Sequence, residues 1–504
     1  MTNREALGSQ FWLGTVQLIP ELLLLLLLIT LAAGLRFRLW HQAGLASGWL
    51  TLPWLVVVFT AALWRMAANG TEAAIAIAKG RQSGGVAGIP YLGLNAESFM
   101  FLLAIAGAIV VVLLSLGEER EQRINDYLYI PAALLGIRLL LAPSNLITLY
   151  MGIELFSLAA LSLVLTTLNK RHKHLSRPER PAVRFSARSG VGTALLLFGM
   201  SYIYGLTGDM DLAAIRASIS DMQSYASLVY LAILLMACGL GVKVAALPFS
   251  IWMSNENGKN TGFPYTAGAM FLVVAGQGAA AAALYHLLHE TEIVQLLGLN
   301  STYIGLQAIA ACQIAWGTVA MLRQKQAANL LGWVSVINSG YLLVPVALSL
   351  APAHSSLFAP LGYQFAVYML AMFGAAAILA AVREATGHGK LSGLAGLYHR
   401  SPWLAAAMAV FVLSLAGLLL TGGFFAKVYI WLGSAAAEAY WLLGVMAACS
   451  LVAAYAYFGF IRQMFMRTGS DERALSLPLA ASLGIAICAV GLVVLGLFPG
   501  LLMK

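Results

Sequence analysis

Residues Val229–Trp252 read VYLAILLMACGLGVKVAALPFSIW, an apolar run that carries one ammonium group, Lys243, and no acid. At the centre of a membrane helix a lysine costs about 2.5–3.5 kcal/mol on insertion scales, so a lysine kept there is by default a candidate for ion transfer. Gly239 and Gly241 before it and Pro248 after it weaken the helix at the same place, which frees backbone carbonyls to face a charge or water. The stretch therefore predicts a broken membrane helix with an amine at the break.

The bulk composition agrees. The 504 residues are 61% hydrophobic and only 10% charged, with a mean hydropathy of +0.85, which places the chain in the polytopic membrane class and leaves no soluble domain. Apolar runs able to cross a hydrocarbon core of about 30 Å recur to the C-terminus. Fourteen are counted, centred on 17–35, 49–64, 98–116, 127–142, 146–168, 189–206, 226–247, 264–288, 303–322, 328–349, 362–382, 402–432, 437–461 and 476–500. The expected fold is an all-α polytopic membrane protein in a lipid bilayer. The net charge of +9 would suggest an acidic partner in a soluble protein, but in a membrane chain its placement matters more than its sum, and nucleic acid is not expected as a partner. Cys238, Cys312, Cys449 and Cys488 each fall within a span and form no CxxC pair, so they read as small apolar residues, not as iron–sulfur, zinc or disulfide ligands. The N-terminus, MTNREALGSQFWLG, lacks a basic region ahead of an apolar core and is expected to stay in the mature chain.

Taking alternate loops as alternate sides, one side carries most of the 29 Lys and Arg, including the basic loop 169–188. The positive-inside rule puts that side in the cytoplasm and both termini outside. The other long loop, 65–97, is rich in Gly and Ala. Segment 207–225 spaces Met210, Leu212, Ile215, Ile219 and Met222 roughly as one helix face, so it reads as a short surface helix or a loop. Span 12 contains VLSLAGLLLTGGFFAKVYIW, where Gly422-Gly423 interrupts the helix and Lys427 follows. This repeats the plan of span 7 from the opposite side, the mark of an inverted repeat with a site at each broken helix. The organisation expected is spans 1–3 in 1–126, a first five-helix unit in 127–288, a second in 303–465 and a last helix in 466–504.

Glu154, in LITLYMGIELFSLAAL, lies about 12 Å into span 5 at 1.5 Å per residue. If it stood about 7 Å from Lys243, an effective dielectric of ~20 would couple the two charges by roughly 2.4 kcal/mol, enough for a change at one to move a proton at the other. A static ion pair joining two helices is the alternative, and Lys427 is weighed in the same way. Glu21 lies near the outer end of span 1, where a carboxylate reaches water, and Arg138 is close enough to the outer end of span 4 to snorkel. Arg184 and Arg188 lead into span 6 as headgroup anchors, and His286 and His289 read as interfacial residues at the outer end of span 8. GLGVKV lacks the third glycine and the preceding strand of a dinucleotide fingerprint. With no P-loop, nucleophile elbow or metal cluster in the sequence, redox chemistry is expected in partners.

Four pieces in order, ITLYMGIELFSL with Glu154, GLGVKVAALPFSIW with Lys243, LLGWVSVINSGYLLV, and GLYHRSPWLAAAMAVFVLSLAGLLLTGGFFAKVYI with Lys427, carry a family resemblance. From about Leu94 to Met466 the chain resembles the subunit N family of respiratory complex I, one of its antiporter-like membrane subunits. The resemblance implies fourteen helices, two inverted five-helix repeats with broken helices 7 and 12, and proton translocation driven by electron transfer to quinone in neighbouring subunits. It assigns Glu154 to the helix-5 glutamate, Lys243 to the helix-7 lysine and Lys427 to the exit-side helix-12 lysine. Three positions depart. The helix-6 lysine matches Arg184, the helix-8 lysine falls near Val273 or Val274 with Gln277 close by, and Asn338 replaces the helix-10 histidine. Arginine does not give up its proton in practice, and Gln and Asn cannot hold an extra one, so the relay is thinned and water ordered by Gln277 and Asn338 is expected to bridge it.

The reading is a proton-translocating subunit of a complex I-type oxidoreductase in a bacterial inner membrane, with other membrane-arm subunits as partners. It holds no cofactor of its own; flavin, iron–sulfur clusters and quinone are expected in those partners. Its rivals are a subunit of an Mrp-type cation/proton antiporter or a membrane-bound hydrogenase, and an antiporter-like subunit that has lost pumping.

Overall fold

The computed structural model describes residues 18–36, 46–78, 96–116, 123–171, 180–219, 225–244, 267–290, 300–348, 358–386, 390–418, 421–467, 475 and 477–500; the side chains of some residues near helix ends, Lys243 and Arg184 among them, lie outside this description. Among the described residues there are seventeen α-helices, one 3-10 helix and no strand. In chain order they are α1 (Ile19–Arg36), α2 (Ala46–Ala78), α3 (Ala96–Ser115), α4 (Arg123–Leu141), α5 (Leu146–Arg171), α6 (Arg180–Thr207), α7 (Leu212–Ile219), α8 (Ala226–Val244) and α9 (Ala267–Glu290). There follow α10 (Asn300–Leu322), α11 (Ala327–Leu348), α12 (Phe358–Thr386), the 3-10 turn Leu391–Leu394, α13 (Leu397–Arg400), α14 (Pro402–Ala416), α15 (Gly422–Ala436), α16 (Tyr440–Met466) and α17 (Leu479–Leu497). Eight helices are long and apolar enough to cross a membrane, and six shorter apolar helices accompany them. The protein is an all-α polytopic membrane protein.

Local chemistry places the helix ends. Asn145 caps α5: its Oδ1 accepts the Thr148 N–H at 2.7 Å, and its own N–H donates to the Thr148 hydroxyl at 3.2 Å, closing a reciprocal cap. That cap fixes the depth of Glu154, nine residues on. Asp211 caps α7 by accepting the Ala213 N–H at 2.8 Å, and Leu212 and Ile215 are buried, so segment 207–225 contains a helix. Two short bridges tie connections together. Asn145 pairs antiparallel with Asp211, and Gln326 with Lys390.

Two sequence expectations change. The Gly/Ala-rich loop 65–97 begins as helix, because α2 runs to Ala78. Both ends of the basic loop 169–188 are helical, in α5 and α6. Within span 7, α8 is regular through Gly239 and Gly241 as far as Val244, so neither glycine is itself an interruption; the chain beyond Val244, Pro248 included, lies outside the described residues. Gly239 serves packing instead. A Cβ there would stand 2.6 Å from the Gly192 carbonyl oxygen and 2.8 Å from the Leu196 nitrogen, so the glycine lets α8 close on α6.

The centre of the bundle is α9, α11 and α12. The hydrophobic window of α11 is 100% buried within the chain, against 22% for α16 at the periphery. Polar side chains on the central helices can find protein partners instead of hydrocarbon.

Candidate functional site

Span 12 is a broken helix. α14 ends at Ala416, and Gly417 turns left-handed (φ 78°, ψ 39°), its N–H bonded to Leu413 O while the Leu418 N–H also reaches Leu413 O. This is a Schellman-type stop, which only glycine enters without strain. α15 begins at Gly422 after Thr421. The interruption thus precedes the Gly422-Gly423 pair that the sequence suggested, and the pair does different work. A Cβ on Gly423 would overlap the Ser414 carbonyl oxygen, and the Gly423 N–H donates to the Ser414 hydroxyl at 3.2 Å, so the two half-helices interlock there.

Lys427, one turn into α15, folds back across the break. Its Nζ donates to the Ala416 carbonyl at 2.8 Å, an oxygen left free by the end of α14, and lies 5.4 Å from the centre of the Tyr341 ring. The side chain is buried and makes no ion pair among the described residues. A helix C-terminus and an aromatic face both favour a cation, yet neither is a counter-ion. The carbonyl accepts a hydrogen bond from an amine as well as from an ammonium, so the site accommodates both protonation states.

Gln277 and Asn338 lie in the central helices, within a polar cluster. Gln277 on α9 donates from Nε2 to the Ser335 hydroxyl on α11 at 3.1 Å, and its Oε1 accepts from Tyr368 on α12 at 2.8 Å. Tyr368 and Ser335 oxygens are themselves 2.8 Å apart. One turn along, Asn338 donates to Val334 O and accepts from Gln364 of α12 at 3.0 Å. Ser335, Tyr368 and Gln364 were missed from sequence, and only their polarity in apolar spans signalled them. Gln313 of α10 also bonds Ser339. Tyr341 closes the series, its hydroxyl 2.7 Å from that of Ser450 on α16.

Glu154 is half-buried on α5, and its face of that helix carries Ile147, Met151 and Leu158, all exposed. It makes no ion pair with a described residue. The separation of Glu154 from Lys243, and the position of the Arg184 side chain, fall outside the described residues, so these two are placed by helix only, in α8 and α6.

Glu21 and Arg138 differ from their expected surface roles. Glu21 Oε1 accepts from Arg65 Nη1 at 2.7 Å and from Arg138 Nε at 2.6 Å, and Arg138 also stacks over Phe101 at 5.8 Å. Arg65, 5% exposed, had been counted as loop; the extension of α2 puts it inside. His286 is likewise buried within the chain, with Nε2 3.6 Å from Glu97 Oε1 at the start of α3. The four cysteines stand apart as free thiols on α8, α10, α16 and α17.

Comparison with known proteins gives the frame for this geometry. Residues 143–452 match the family described as NADH:quinone oxidoreductase/Mrp antiporter, TM. A protein of Paenibacillus sp. named NADH-quinone oxidoreductase subunit N is 36% identical, over 98% of this chain and 96% of its own length. A second of the same name, from Desulfovibrio desulfuricans, is 30% identical over 96% of this chain and 94% of its own. A chain of respiratory complex I from Thermus thermophilus superposes with a TM-score of 0.74 at 25% identity, covering 96% of this chain and 98% of that one. A chain of the Mrp complex from Dietzia sp. shares the fold, with a TM-score of 0.70 at 15% identity over 97% of this chain and 96% of its own. The chain therefore belongs to the subunit N family of NADH-quinone oxidoreductases, within the membrane family shared by those enzymes and Mrp antiporters.

Proposed function

We propose that this chain is a proton-translocating subunit of a complex I-type NADH:quinone oxidoreductase that does no redox chemistry itself, the flavin, iron–sulfur clusters and quinone being held by partner subunits. The observation that carries the reading is Lys427, a buried amine at a helix break, held by a carbonyl and an aromatic ring and, among the described residues, by no acid. A lysine kept only for structure would gain more from a carboxylate partner. One held by neutral groups can lose and regain its proton without leaving a buried carboxylate uncompensated.

In this reading Glu154 and Lys243 load a proton from the cytoplasmic half, with Arg184 as a fixed charge near the entry. Gln277 and Asn338 order the centre, and Lys427 passes the proton outward. The inverted repeat, 127–288 against 303–465, draws support from the two bridges. Asn145 and Gln326 each directly precede the second helix of a unit, and Asp211 and Lys390 each directly precede a short helix ahead of the broken-helix position. Five crossings separate the bridges, which puts equivalent pairs on opposite sides. In this reading an even count of fourteen spans, with the basic loops inside, puts both termini on the outer side of the bacterial inner membrane.

The experiment is proton yield per electron pair in sealed vesicles carrying the whole complex, with Lys427→Met, Lys243→Met and Glu154→Gln side by side. Each is expected to lower the yield while the complex still assembles. If yield and electron transfer survive all three, the chain is an antiporter-like subunit that does not pump; sodium-dependent exchange without redox partners would make it an antiporter subunit.

A further inference from the structure

The membrane stretches of α9, α11 and α12 carry no acid, lysine, arginine or histidine between residues 267–285, 327–348 and 358–382, yet a route from the first unit to Lys427 must run among them. What the stretches hold is the ring of Gln277, Ser335 and Tyr368, each at most 1% exposed. We propose that Tyr368 and Ser335 are proton-passing groups of this chain, a hydroxyl pair closed over Gln277 that relays protons where no titratable side chain stands. The proposal rests on the proton-translocating reading above and assigns it two further residues.

The geometry gives the pair two arrangements. Tyr368 has one hydrogen and two acceptors at 2.8 Å, Gln277 Oε1 and Ser335 Oγ. Ser335 can donate to Gln277 Oε1 at 3.2 Å while Tyr368 donates to it, or accept from Gln277 Nε2 at 3.1 Å while Tyr368 turns to Oε1. A hydroxyl both donates and accepts through one oxygen, whereas an amide donates only from its nitrogen and accepts only at its oxygen, so in both arrangements each of the three side chains keeps a partner.

A transfer then balances with water as co-reactant. A hydronium on the entry side gives its proton to a lone pair of the Tyr368 oxygen as the hydrogen already there leaves for the Ser335 oxygen. The Ser335 hydrogen leaves for a water on the Lys427 side. Each hydroxyl oxygen forms one O–H bond and breaks one, neither retains charge, and a water remains at entry where the hydronium stood. Resetting requires both hydroxyls to swing back, and Gln277 Oε1, within reach of both, keeps them paired midway. Gln277 is thus a positioning residue and not a carrier.

The test uses the intact complex in sealed vesicles. Tyr368→Phe keeps the ring and removes the relay, and Ser335→Ala does the same for the second hydroxyl. Each is expected to cut proton yield per electron pair as far as Lys427→Met does, and Ser335→Thr, which keeps a hydroxyl, to retain it. Adding Gln277→Lys to Tyr368→Phe puts a titratable amine in the same ring and is expected to restore the yield, which repair of packing alone would not do. If Tyr368→Phe and Ser335→Ala both pump like the parent while Lys427→Met does not, the hydroxyl relay is wrong and the broader reading stands. If Lys427→Met also pumps like the parent, both fall. Should Tyr368→Phe fail to assemble, the contrast between Ser335→Ala and Ser335→Thr decides, equal yields overturning the relay.

Discussion

α8 and the α14–α15 pair look alike on paper: an apolar helix, two glycines, then a lysine. Their glycines do different work. As far as Val244, α8 is regular helix and Gly239 is a groove into which the backbone of α6 fits, with Gly192 across from it. In span 12, Gly417 has left the helical region altogether, and Gly423 makes room for a carbonyl of the preceding half-helix. A glycine before a lysine therefore need not itself be the interruption. What separates these glycines is whether the missing Cβ faces a neighbouring helix or the chain's own reversal. At the reversal a carbonyl, that of Ala416, is exposed to Lys427.

The strongest way to break this contrast is Gly423→Ala. The added methyl would overlap the Ser414 carbonyl, which is backbone and cannot rotate away, so the half-helices must separate. Overpacking of this kind costs about 3 kcal/mol. The expected result is a large fall in the amount of complex containing the chain after mild detergent extraction, measured by native electrophoresis. Normal assembly would show that α14 and α15 do not interlock at this point.

Gly239→Ala comes next. Its Cβ would press on Gly192 O and Leu196 N, forcing α6 and α8 apart by a few tenths of an ångström or more, for about 2 kcal/mol. The complex is expected to assemble in reduced amount, with a lowered thermal midpoint. If α8 were broken at this residue, the methyl would meet open space and the midpoint would hold.

The contrast also marks how far sequence reaches. The apolar spans and the broken helix at Lys427 were legible, because hydropathy and glycine placement are local properties, while periodicity alone left 207–225 open between a short helix and a loop. The end of α2 was not. AANGTEAAIAIA reads as a loop through its Asn-Gly pair, but its alanines have high helix propensity and carry α2 on to Ala78. Least legible were the polar partnerships. Glu21 meets arginines 44 and 117 residues away, and Gln277 meets Ser335 and Tyr368 at separations of 58 and 91. Membrane helices that are apolar all round give no moment to orient them, so which faces meet is decided by packing that no local pattern records. Gln277 and Asn338 could be picked out as departures from a family pattern; that hydroxyls gather around one of them could not.

The smallest effect is the most discriminating about surroundings. Gly459, on α16, has nothing within 4 Å of an added Cβ, and the same helix exposes Leu451 and Tyr455 almost fully. Unlike Gly239 and Gly423 it has no neighbour to protect among the described residues. Replacing a helix glycine whose added Cβ meets no neighbour by alanine removes unfolded-state freedom worth roughly 0.5–1 kcal/mol. Gly459→Ala is therefore expected to leave assembly intact and raise the thermal midpoint slightly. A fall in assembly would mean that this face is pressed against another membrane subunit at van der Waals distance, with Gly459 serving between chains the purpose that Gly239 serves between α6 and α8.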